Sequence, residues 1–92
     1  MQTIEMLSQA IELARQLGYQ VREDHLEGAG GGHCLIHGRK WLLLDLTQSA
    51  HQQLDDVLDA VHSDPQLSLA AIPAGLAGPL QRKATARRHQ AA

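Results

Sequence analysis

Phenylalanine is absent from this 92-residue chain, and Tyr19 and Trp41 are its only two large aromatic side chains. A core built from it is therefore expected to be aliphatic, with Trp41 as its largest single contributor. Cysteine occurs once, at Cys34, which excludes an intrachain disulfide. No apolar run approaches the ~20 residues that a bilayer-spanning helix needs. The opening "MQTIEMLSQAIELARQLG" is too charged and too regularly amphipathic to read as a secretion signal. The formal charge is −2, with no broad basic surface to neutralise phosphates, so nucleic acid is not the expected partner. These absences describe a soluble cytoplasmic protein without a membrane partner.

What is present points to a single domain over residues 1–80, near the lower end of sizes at which one core folds alone. Residues 81–92 follow as a basic tail carrying Arg82, Lys83, Arg87, Arg88 and His89. Their small, polar neighbours predict disorder, and the tail is the one place where nucleic acid could dock.

Ile4, Leu7, Ile11 and Ala14, flanked by Met6, Ala10, Leu13 and Leu17, recur at helical spacing with a broad apolar stripe. Thr3 is placed to cap this helix, and Gly18 to end it in the left-handed conformation. The next segment, "YQVREDHLE", alternates as a half-buried strand and is expected at a sheet edge. After a glycine run, "HCLIHGRKWLLLDL" reads as a hairpin, with Gly38-Arg39 as a type II′ turn pairing Ile36 with Trp41 and Cys34 with Leu43. Alternation then sets His33, Leu35, His37, Lys40, Leu42 and Leu44 on one face. Cys34, Ile36, Trp41, Leu43 and Asp45 fall on the other.

Ser49-Ala50-His51-Gln52 has the form of a capping box and opens a second helix, which Pro65 stops. Beyond it, "QLSLAAIPAGLAGPL" is apolar but broken by proline and glycine, which predicts a short strand or turn at Leu67 to Ile72 and a short helix near Ala74 to Leu80. The expected fold is α+β: a small three-stranded antiparallel sheet with two helices on one face, in the order α-β-β-β-α, plus a C-terminal apolar segment.

Candidate chemistry centres on "GAGGGHCLIHG" (Gly28 to Gly38). A phosphate loop needs a helix N-terminus or a Lys-Ser/Thr pair, and this run has neither, because it leads into a strand. It reads instead as a connection that allows close backbone approach. His33, Cys34 and His37, with His25 nearby, are zinc-type donors, and they define an alternative small-molecule or metal-handling site, possibly based on the thiol. Residues three apart on a strand point to opposite faces, which separates Cys34 from His37. A nucleophilic Cys34 would need a base that the spacing does not supply, so it reads as a small buried hydrophobe. Asp55, Asp56 and Asp59 read as a solvated helix face.

The residues "GGGHCLIHGRKWLLLDLTQSAHQQLDDVLDAV" resemble a group of small uncharacterised bacterial proteins. The shared pattern is a glycine run, a cysteine, a hairpin, an acidic residue closing the strand and an amphipathic helix. The later "LSLAAIPAGLAGPL" is similar to the segment that closes such chains, so the resemblance spans roughly Arg22 to Leu80. It implies a fold and carries no activity. Hairpin plus helix also resembles the start of the ImmA/IrrE-type metallopeptidase core, whose H-E-x-x-H would fall on Leu58-Asp59-Ala60-Val61-His62. Only His62 matches, so zinc hydrolysis is not implied.

Two helices cover one side of three short strands, which leaves Cys34, Ile36, Trp41 and Leu43 in need of a cover. The segment Leu67 to Leu80, a second copy of the chain or another protein could supply it. The sequence thus favours a non-enzymatic domain without a cofactor, acting by protein association, as a homodimer through that face or through a strand edge.

Overall fold

The structure, a computed structural model, describes residues 2–91, and the side chains of all of these except 68, 69 and 86–91. The chain is α+β, with α1 (Thr3–Gln16), β1 (Gln20–Asp24), β2 (Gly32–Ile36), β3 (Arg39–Asp45), α2 (Ala50–Ser63), a 3-10 turn (Pro65–Leu69) and α3 (Ala74–Ala91). The apolar stripe of α1 buries Ala10, Leu13 and Ala14, and Gly18 follows at φ 97°, as the helix terminator requires. Thr3 does not cap it: Gln2 holds the cap position, without a side-chain bond. Ser49 does cap α2, accepting the Gln52 amide at 3.2 Å.

The sheet order is β1-β3-β2, with β2 antiparallel and β1 parallel to β3. The expected all-antiparallel sheet is corrected here. β1 lies at an edge as expected, but residues 25–31 carry the chain around the end of β3, so β2 returns on the far side of that central strand. Asp45, at that end of β3, holds the connection: its carboxylate accepts the amides of Leu26 (3.1 Å), Gly30 (3.1 Å) and Thr47 (3.0 Å) and the Thr47 hydroxyl (2.6 Å). The Thr47 hydroxyl in turn accepts the Gly28 amide at 2.9 Å. Asp45 is fully buried, and these bonds, the Thr47 hydroxyl first, hold its carboxyl down at about 2. Gly31 is obligatory in the same passage, because a Cβ there would collide with the Leu43 carbonyl oxygen.

Leu42 and Leu44, both buried, point from β3 into a core that also takes Leu13, Leu54, Val57, Val61, Leu76 and Leu80. The core is aliphatic as expected, yet Trp41 is not in it: that side chain is half-buried on the opposite face. Tyr19 is the aromatic that enters the core, its hydroxyl donating to the Ala60 carbonyl at 3.3 Å.

The C-terminal segment differs from expectation. The short helix expected over 74–80 continues to Ala91, through the segment read as a disordered tail, with Pro79 inside it. Leu76 and Leu80, one turn apart, dock it on α1 and α2. Lys83 then reaches Asp55 at 2.6 Å and Asp59 at 3.1 Å, so these acids on α2 tether α3 rather than forming a purely solvated face. The side chains of Arg87, Arg88 and His89 lie outside the described residues.

Candidate functional site

The hairpin is thinly covered by its own chain: every residue of β2 after Gly32 is exposed. Its turn is His37-Gly38, at φ 50° and 78°, and positive φ at both central positions defines a type I′ turn. That corrects the expected Gly38-Arg39 turn and moves the pairing to Ile36 with Arg39, Leu35 with Lys40, Cys34 with Trp41 and His33 with Leu42. The move is two residues along the ladder, an even step, so every side chain that remains in β2 or β3 keeps the face that alternation assigned to it, and only His37 leaves the ladder for the turn.

On the helix side, α2 packs against β2 and β3 and α1 against β1, and among the described residues α3 touches only the other helices. Lys40 projects to this side, where its ammonium donates to the Leu17 carbonyl at 2.7 Å and to Asp64 at 2.6 Å, and lies 5.3 Å from the Tyr19 ring centre. Burial pushes the Asp64 carboxyl up, and the Lys40 and Gln66 hydrogen bonds outweigh it, leaving its pKa below the ordinary value.

On the far side Cys34, Ile36, Trp41 and Leu43 line a shallow groove of about 310 Å³ with Arg22 at its margin. Cys34 is exposed, against the expectation of a buried thiol, and Ile36 keeps 48% of its surface in water. The segment Leu67 to Leu80 does not cover this face, because Leu76 and Leu80 are committed to the helix side.

The two sheet edges are unlike. β1 presents Arg22, Glu23 and Asp24 among its five residues, whereas β2, Gly32-His33-Cys34-Leu35-Ile36, carries no Asp, Glu, Lys or Arg. Charge is the usual protection of a free edge, so β1 is guarded and β2 is not. A second groove, along Ile4, Leu7 and Ile11 on α1, is rimmed by Glu12, Arg15 and Glu23 and so is guarded as well.

The metal candidates are not brought together. His33 lies on the helix side in edge contact with the Tyr19 ring, Cys34 faces the groove, and His37 sits in the turn. Among the described residues no group of three or more His, Cys, Asp or Glu side chains is placed to hold a metal ion. No described helix is long and apolar enough to cross a membrane. Two polar centres escaped the sequence reading: Asp45, knotting the glycine loop, and Lys40, tying the sheet to two helix ends. The acid closing the apolar strand β3, in a chain with a glycine-rich connection before the hairpin, was the available signal for the first; nothing local signals the second. The chain matches no family model, no curated protein and no solved structure.

Proposed function

We propose that this chain is a non-enzymatic association module that works as a homodimer through the open face of its β2–β3 hairpin or the uncharged β2 edge beside it. The observation that supports it is the one-sided packing of the sheet. Every helix lies on the Leu42 and Leu44 side, and Cys34, Ile36, Trp41 and Leu43 are left as a contiguous apolar surface beside an uncharged strand edge. Contiguous apolar surface of this kind on a small domain marks an association site, because its exposure is unfavourable in the isolated chain. The β2 edge adds unpaired backbone groups to that apolar surface, and a second copy of the chain presents both in matching form.

Ile36→Lys tests the reading, since it places a charge at the centre of the exposed surface and removes nothing from the core. In sedimentation equilibrium the native chain should self-associate at micromolar concentration and the variant should weaken that association by tenfold or more, with an unchanged circular dichroism spectrum. Equal association of the two proteins would contradict the reading.

A further inference from the structure

The unguarded edge and the hairpin register together specify how two copies would join. A two-residue type I′ turn makes its flanking pair, Ile36 and Arg39, exchange both backbone hydrogen bonds. Bonding then alternates along the ladder, so Cys34 and Gly32 also bond inward to Trp41 and Leu43. The backbone groups of His33 and Leu35 therefore point outward, along the free edge.

We propose that two copies of this chain pair β2 to β2 in antiparallel fashion across a two-fold axis at Cys34, forming one continuous six-stranded sheet; this inference rests on the homodimer reading above. With the axis at Cys34, His33 of each copy bonds Leu35 of the other, giving four backbone hydrogen bonds. An axis at Leu35 would pair His33 with His37, which has left the strand at φ 50°, and an axis at His33 would pair Leu35 with Gly31, which lies before the strand. Each of those registers keeps two bonds, so the Cys34 register is the one the edge favours.

Charge and shape agree with it. The two-fold sets no like charges together on β2, whereas the same operation on β1 would set Arg22, Glu23 and Asp24 against their own kind or one another. Ile36 falls opposite Gly32, whose Cβ position is open, so the bulky side chain meets an unfilled place. Cys34 meets Cys34 as a pair not bonded through its own backbone, in which Cα atoms lie about 4.5 Å apart, within the span a disulfide bridges. The thiols stay reduced in the dimer; their proximity is a consequence of the register and a means of detecting it.

The intact chain, treated briefly with diamide at micromolar concentration, reports the register directly: the reagent takes up the two protons and two electrons released as two thiols become one disulfide. The disulfide dimer of the native chain should form about tenfold or more faster than that of Cys34→Ser/Ile36→Cys, whose thiols would sit four residues out of register. Leu35→Pro, which removes an outward N–H without touching the β2–β3 bonds, should sediment as a monomer while keeping the native circular dichroism. Self-association with equal cross-linking of the two cysteine positions would overturn the edge register and leave the homodimer reading standing. A monomer at every concentration would overturn both.

Discussion

Lys40, in the central strand, donates at 2.6 Å to Asp64, the residue that ends α2, and Asp64 is 5% exposed. The same ammonium takes the Leu17 carbonyl at the end of α1, so one side chain fixes both helix ends against the sheet. Asp64 is the buried member and Lys40 is partly exposed, so removing Lys40 leaves a buried carboxylate unpaired, which costs more than the pair itself contributes. Lys40→Met should therefore destabilise the fold by about 3 kcal/mol, and Lys40→Met/Asp64→Asn should recover part of that loss. Urea denaturation of the native chain, Lys40→Met, Asp64→Asn and the double variant gives the comparison; additive losses would contradict a direct coupling.

Asp45 gives stability at low pH a particular source. Its folded value of about 2 lies below the ~3.9 of a free aspartate, so its contribution is fully present above about pH 4 and is lost as pH falls through about 2. Asp64, also lowered, acts in the same direction, whereas Asp56, raised mainly by burial, opposes them. Asp45→Asn should lower the urea midpoint at pH 7 and flatten its fall between about pH 4 and about pH 2. An unchanged acid slope would remove Asp45 from the account.

Gly31→Ala tests the close passage of the connection over β3. The added methyl meets the Leu43 carbonyl oxygen, and also Asp56 Oδ2 at 3.2 Å, and the backbone must shift to admit it. A loss of about 2 kcal/mol is expected, against little change for Gly32→Ala, where the Cβ position is open. Thermal unfolding of the two variants distinguishes them, and equal midpoints would contradict the packing described for Gly31.

The sequence was legible where structure is local. The stripe of α1, the Ser49 cap and the two faces of the hairpin all follow from spacing, and the faces survived a misplaced turn because the pairing moved by an even number of residues. The turn itself was misread because it needs a positive φ at His37 as well as at Gly38, and positive φ is uncommon at any residue other than glycine. The parallel pairing of β1 with β3 was not legible, since alternation fixes faces and says nothing of which strand lies beside which. It depends on Asp45 gripping amides of the Leu26 to Gly30 connection. The length of α3 was hidden by Gly75, Gly78 and Pro79, which local propensity counts against a helix; burial of Leu76 and Leu80 offsets them. Of the candidate site, the apolar set Cys34, Ile36, Trp41 and Leu43 was readable from alternation. That the C-terminal segment leaves it open was not, because that depends on where Leu76 and Leu80 dock.

Lys83 tethers α3 to α2, so its loss should loosen that helix more than the domain. Burial lowers its pKa and the bonds from Asp55 and Asp59 outweigh this, leaving it raised; its contribution is present below ~10.4 and is lost as pH rises through the folded value. Both aspartates are substantially exposed, so Lys83→Met should cost less than about 1 kcal/mol in global stability. Amide exchange over 76–85 should quicken, with the core strand β3 unaffected. Uniform quickening across the chain would contradict a local tether.

The molar mass of the intact chain in solution tests the central claim most directly. Light scattering through a micromolar concentration series at neutral pH should give a mass rising toward twice the 10.0 kDa of one chain and levelling there, as a closed two-fold dimer requires. A mass that stays at one chain throughout would contradict the account, and growth without a plateau would contradict its closed symmetry.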